Sequence, residues 1–150
     1  MSASFVAAVI GIFWVDRLSK WAAMSFLPLN TPVPLWPPFL HFTYIQNPGA
    51  AFGLFQNQTF FLIASGSAML VVFWFLRKEL LIHASSRWGA AFLIAGDLGN
   101  MADRLAYGAV VDFIQLPHWP VFNMADICID LGIILLLWYF FKDSRLKDKN

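Results

Sequence analysis

Charge is scarce in this chain. Asp, Glu, Lys and Arg make up 13% of its 150 residues, where a soluble domain carries about 25%. Set beside 16 Phe, 7 Trp and a 59% hydrophobic composition, the deficit excludes an ordinary soluble domain and points to a membrane protein. Cysteine is nearly absent too. Cys128 stands alone, so no internal disulfide framework and no cysteine-rich metal site can form. His41, His83 and His118 are scattered without ligand spacing and read as surface or interfacial side chains. Carboxylates without histidine would give a hard, oxygen-only ligand set, so neither a metal nor another cofactor is expected. No glycine-rich phosphate loop precedes a helix. The net charge is +1, with no basic patch outside the termini and one loop, so nucleic acid is not an expected partner. No Lys or Arg precedes Arg17. The first apolar run therefore lacks the positive start of a signal peptide and reads as a retained membrane helix.

The long apolar runs are four. Residues 5–26 would extend about 33 Å as a helix, close to a hydrocarbon core of about 30 Å. Residues 59–76 form an uncharged run, 88–105 begin apolar and turn polar, and 121–141 are wholly apolar in their second half. Only helices or closed barrels satisfy their backbone in lipid, and these runs lack the alternation of barrel strands. The expected fold is an all-α membrane protein of four transmembrane helices in a single domain, residues 1–150. Positive charge sets the direction. Arg77, Lys78 and Arg87 lie between the second and third runs, and Lys142, Arg145, Lys147 and Lys149 follow the fourth. The connections 27–58 and 106–120 carry no Lys or Arg. Both termini and the middle loop are therefore expected in the cytoplasm, with the two uncharged connections outside. The start of the 27–58 connection is too proline-rich for a helix or a central strand. The stretch 41–46 reads as a short strand, and the aromatic content of this connection places it against the bilayer surface.

With that orientation the polar residues gather in the outer half. Asp97, Asn100, Asp103 and Arg104 lie in the third run, with 100, 103 and 104 on one helical face. Asn123, Asp126 and Asp130 lie in the first turns of the fourth, and Asp16 and Lys20 form an i, i+4 pair in the first. Taken singly, these are explained by packing: Asp16 with Lys20, and Asp103 with Arg104 or Arg17, would be buried ion pairs, and Asn123 a helix N-cap. Taken together, Asp97, Asp103, Asp112, Asp126 and Asp130 outnumber Arg104, so some carboxyl must be protonated or face water. Asp112 in Val110-Val-Asp-Phe113 and Asp126 in Phe122-Asn-Met-Ala-Asp126 are flanked by residues that look buried. A carboxylate in lipid costs roughly 2.5–3.5 kcal/mol or more, and two facing one cavity can share a proton and act on a water. Three readings follow: an aspartic peptidase, a proton-coupled carrier with Asp16, Asp97 and Asp103 as a relay, and an assembly subunit whose polar residues dock a partner. Within the first, Asp103 could replace Asp112 in the pair, and neither member is assigned as the base.

Four blocks add a resemblance. Asp16-Arg-Leu-Ser-Lys20, Gln46-Asn-Pro-Gly-Ala-Ala-Phe52, Gly99-Asn-Met-Ala-Asp-Arg104 with Gly108-Ala-Val-Val-Asp-Phe113, and Phe122-Asn-Met-Ala-Asp126 resemble, in order, the motifs of lipoprotein signal peptidase (signal peptidase II), a bacterial membrane aspartyl peptidase family. The resemblance implies Asp112 and Asp126 as the catalytic pair, supported by Asn100, Asp103 and Asn123. It implies that Asn47 and Arg104 contact substrate, that Gly49 lets backbone approach closely, and that Asp16 and Lys20 brace the site. It implies a diacylglyceryl-modified prolipoprotein substrate cut before its lipid-bearing Cys, contact with membrane lipid, and a monomer in the bacterial inner membrane. It also implies a small extracytoplasmic β-cradle near 44–46 and a surface helix within 47–57. One departure stands out: the family usually carries Gly-Gly where this chain has Ala95-Gly96, followed by the extra acid Asp97.

Overall fold

A computed structural model describes residues 3–49, 66, 67, 70, 74 and 83–147. The elements run α1 (Ala3–Phe26), β1 (Val33–Trp36), β2 (Leu40–Asn47), α2 (Ala84–Tyr107), β3 (Val110–Gln115) and α3 (Met124–Lys147). The three helices match the first, third and fourth predicted runs. Of the second run, positions 66, 67, 70 and 74 are helical, and the rest of 59–76 lies outside the described residues, as do Arg77 and Lys78. The proposed surface helix within 47–57 lies outside them beyond Gly49. Among the described residues, one segment, Met124–Lys142, is long and apolar enough to cross a membrane by length and composition alone.

The packing is inverted relative to a soluble bundle. In α1 the buried positions are Phe5, Asp16, Lys20 and Ala23, while Trp14 is 56% and Leu18 59% exposed. In α3, Ile134, Trp138 and Phe141 are likewise exposed. Water would drive the opposite arrangement, charge outward and tryptophan inward. A hydrocarbon surround explains both, because it rewards burial of charge and does not penalise exposed apolar surface. Away from the polar end, the helices meet through Phe5, Ala90, Ala91 and Leu136.

Small residues let α2 and α3 approach closely. A Cβ at Gly96 would sit 2.5 Å from the Ala125 carbonyl oxygen, and one at Gly132 would sit 2.8 Å from that of Gly89. Such contacts replace the hydrophobic effect as the adhesive between helices in lipid. At the departure from the family pattern, Gly96 makes the close approach and Ala95 is fully buried. One methyl group is accommodated without separating the helices.

A three-stranded antiparallel sheet, ordered β1-β2-β3, lies where α1 and α2 finish and α3 begins. α1 ends at Phe26, with Pro28 restricting the residue before it. β1 contains Pro34 and takes the edge, where a missing N–H costs no ladder bond. The β2 strand covers the predicted 41–46 stretch. β3 departs from the expectation of an irregular connection over 106–120. It forms because Gly108 adopts a left-handed conformation (φ 73°) and its N–H caps α2 on the Arg104 carbonyl, turning the chain sharply back. Two backbone bonds then tie Ile114 to Phe122, at 2.8 and 3.0 Å. The loop between them closes on itself, and the start of α3 is delivered beside β3.

Candidate active site

Three structural joints bring the polar residues together. The first is between α1 and α2. Lys20, fully buried, donates from Nζ to Asn100 Oδ1 at 2.9 Å. The same ammonium lies 2.9 Å from Asp103 Oδ2 and 3.1 Å from Asp16 Oδ2. Arg17 pairs with Asp103 through its other oxygen. Asp103 Oδ2 also accepts from the Val111 N–H at 3.2 Å. Its carboxylate thus ties both helices to β3. Gly99 makes room for this cluster, since a Cβ there would overlap the Asp16 carboxylate.

The second joint is the sheet. Asn47 stands opposite Val110, so its side chain shares a face with Val110 and, diagonally, with Asp112. Its Nδ2 donates to Asp112 Oδ2 at 2.9 Å. Its Oδ1 accepts from the Gly49 N–H at 3.0 Å, which turns the chain past the site.

The third joint is the N-terminus of α3. Asn123 Oδ1 accepts from the Asp126 N–H at 3.0 Å, and Asp126 Oδ2 accepts from the Asn123 N–H at 3.1 Å. This is a reciprocal cap that satisfies two orphan donors of the helix end. The cap leaves the other half of Asn123 free for the site: its Nδ2 donates to Asp112 Oδ1 at 2.6 Å and to Asn100 Oδ1 at 3.2 Å. Asn100 Nδ2 in turn donates to Asp126 Oδ1 at 2.8 Å. Asn123 is therefore both a cap and the shared anchor of two carboxylates.

Each of the four oxygens on Asp112 and Asp126 accepts an amide N–H. Their electrostatic settings differ. Asp112 is 3% exposed, and burial pushes its carboxyl up to about 6. Donation from Asn47 and Asn123 opposes the rise, while the charge of Asp126 adds to it. Asp126 is less buried and sits in the first turn of α3, where the helix dipole favours an anion. Arg104, half-buried on α2, interacts with Asp126 more strongly than with Asp97, Asp112 or Asp103. The result is a deeply buried carboxyl able to hold a proton, linked through one asparagine to a second, less buried carboxyl. Such a pair can take a proton from water and give one to a carbonyl oxygen.

The structure brings Asp16, Lys20, Asn47, Gly49, Asn100, Asp103, Asp112, Asn123 and Asp126 into one hydrogen-bonded and ion-paired network. Asp130 is exposed and lies outside it, so its spacing from Asn123 and Asp126 does not make it a member. Of the ion pairs read for Asp103, the one with Arg17 is present, and Lys20 joins it. The sequence reading missed the Val111 N–H and the space made by Gly99. The β-branched run Val110-Val111 was the available signal for a strand there.

Residues 8–142 match the family model described as Signal peptidase (SPase) II. The chain belongs to the signal peptidase II family. The matched residues take in the whole network from Asp16 to Asp126. Similar proteins named lipoprotein signal peptidase include that of Moorella thermoacetica, 38% identical over 89% of this chain and 90% of the relative. That of Synechocystis sp. is 35% identical over 99% of this chain and all of the relative. Among solved structures, one described as a bacterial membrane enzyme, determined in meso at 2.3 Å resolution, superposes with a TM-score of 0.86 at 28% identity. It covers 94% of this chain, which in turn covers 89% of that one. A second such structure, at 1.9 Å, gives 0.84 at the same identity, covering 93% and 94% respectively.

Proposed function

We propose that this chain is a membrane aspartyl endopeptidase that cuts a diacylglyceryl-modified prolipoprotein just before its lipid-bearing Cys, with Asp112 and Asp126 as the catalytic pair. Removal of signal peptides from prolipoproteins is the function that the family and its named relatives support over most of the chain. The observation that carries the aspartyl assignment is Asn123, which holds Asp112 by its side chain and Asp126 by its backbone N–H. Asp103 is the weaker candidate for the pair, because Arg17, Lys20 and the Val111 N–H occupy its oxygens.

The chemistry needs no acyl-enzyme. One carboxylate takes a proton from a water, whose oxygen adds to the scissile carbonyl carbon. The other carboxyl, protonated, gives its proton to the carbonyl oxygen. Collapse of the tetrahedral diol breaks the C–N bond: the proton held by the first carboxyl passes to the leaving amine, and one diol hydroxyl returns its proton to the second carboxylate as the new carboxyl group forms. Two close acids cannot both ionise cheaply, so the pair keeps one proton between turnovers. Asn47, Asn100 and Asn123 hold the carboxyl planes, and Arg104 faces the substrate backbone or lipid-bearing residue.

The chain is a bacterial membrane protein in this reading. Four helices cross the inner membrane with both termini in the cytoplasm. The sheet rests on the extracytoplasmic surface, where a lipid-anchored Cys presents its peptide bond just outside the hydrocarbon. The working unit is a monomer, in contact with membrane lipid. Incubating a diacylated prolipoprotein with purified protein and weighing the released peptide tests the assignment. Asp112→Asn and Asp126→Asn, folded and inserted, are expected to release nothing; wild-type turnover by either removes that residue from the pair.

A further inference from the structure

We propose that Lys20 is a positioning residue that acts on the catalytic pair through Asn100, by locking the orientation of its carboxamide. An Asn side chain can present either its oxygen or its NH2 to a neighbour, and only the NH2 suits a carboxylate. Asn100 Oδ1 faces two donors, Lys20 Nζ at 2.9 Å and Asn123 Nδ2 at 3.2 Å. The second is the weaker hold, because it is longer and its donor is uncharged. With the oxygen pinned by Lys20, the NH2 faces Asp126 Oδ1 at 2.8 Å. Rotating the amide by half a turn would set two acceptors against each other at that distance and an N–H against an ammonium.

The other two amides of the site have backbone locks. Asn123 Oδ1 is held by the Asp126 N–H, and Asn47 Oδ1 by the Gly49 N–H. Asn100 is the exception, and its lock comes from a different helix. Lys20 is suited to it, because it is fully buried and its position is fixed by Asp103 and Asp16. The Asp16 carboxylate has no hydrogen-bond geometry to any described group, so its contribution is charge that keeps the ammonium in place. The titratable and charged groups that act on one another in this network are Asp16, Arg17 and Lys20 from α1, Asp97, Asp103 and Arg104 from α2, Asp112 from β3, and Asp126 and Cys128 from α3; Lys20 and Asp126 are the two that bond to the Asn100 amide.

This role rests on the peptidase reading. The test is the charge-balanced variant Asp16→Asn/Lys20→Met, which removes one cation and one anion and leaves Arg17 on Asp103. Expected are a KM within about threefold of wild type and a kcat lower by about 100-fold. The acid limb of kcat/KM, which reports the pair, should move up by about one pH unit, because a carboxylate that loses a donor is harder to ionise. A merely structural lysine would change the folded fraction and leave the limb in place, and that result overturns the proposal. A second measurement needs no variant: the side-chain amide resonances of Asn100 in wild-type protein in micelles. Amide protons protected from exchange and shifting with the same pH limb are expected. An amide that exchanges at the solvent rate overturns the lock even if the double variant does not fold. If Asp112→Asn or Asp126→Asn cleaves normally, that residue leaves the pair and the catalytic assignment on which this role rests falls with it. If both are inactive while Asp16→Asn/Lys20→Met keeps kcat and limb, only the role of Lys20 falls.

Discussion

Replacing Asp112 by Asn should abolish cleavage and, at neutral pH, make the protein more stable. Burial raises the Asp112 carboxyl from 3.8 to about 6. Between those values the folded protein holds a proton that the unfolded chain has released. Stability therefore falls as pH rises through that window and levels off above it. Two pH units at about 1.4 kcal/mol each come to about 3 kcal/mol. The substituted carboxamide cannot ionise and escapes this loss. It carries a constant cost of its own, because its NH2 must face either Asn47 or Asn123, both donors at that position; one such lost bond costs about 1 kcal/mol. The informative quantity is thus the change with pH. Stability of Asp112→Asn minus wild type should rise by about 3 kcal/mol from pH 4 to pH 8, on the order of 6–12 °C in Tm for a chain of this length. Thermal unfolding in micelles at four or five pH values measures it, and the cleavage assay runs in parallel. A difference that stays flat with pH would refute the claim that Asp112 is held in a burial-dominated site. The loss of cleavage should reach at least the 10²–10⁴-fold range of a lost acid or base, roughly.

Three further substitutions probe separate parts of the site. Asn123→Ala removes cap and anchor together and should lower stability by about 1 kcal/mol as well as stop turnover; Asn123→Asp keeps a cap oxygen but sets a carboxylate against Asp112, so unfolding and cleavage assays should show the cap retained and activity lost. Gly96→Ala presses a methyl group against the Ala125 carbonyl oxygen and should destabilise by about 1–3 kcal/mol in denaturant titrations, with a wild-type midpoint counting against the close helix approach. Asp130→Asn, at an exposed position outside the network, should change Tm by no more than about 0.5 kcal/mol equivalent and leave the cleavage rate within twofold.

The site was legible as a set of residues because polar side chains stand out in an apolar chain. Asn100, Asp103, Asn123 and Asp126 each fell on a helical face that periodicity defines. Their partners were not legible. Asp103 finds Arg17 and Lys20 only because α1 packs on α2, a contact across more than eighty positions that no local spacing encodes. Asp130 obeyed the same spacing as Asn123 and Asp126 and still points away, since one helical face is wider than one site. The strand β3 was hidden because its pairing with β2 joins residues far apart in the chain, such as Asn47 and Val110.

Composition and hydrophobic run length alone determined that this chain belongs in lipid and where its described helices lie, since both follow from transfer free energy and helical period, which are properties of short windows. Which oxygen meets which N–H was decided only by the tertiary fold. Gly108 had to reverse the chain, Phe122 had to close on Ile114, and α1 had to bring Lys20 to Asn100 before two aspartates fourteen positions apart could meet on one asparagine. Hydrogen bonds are sensitive to fractions of an ångström, and distances of that kind exist only once the helices and the sheet have packed.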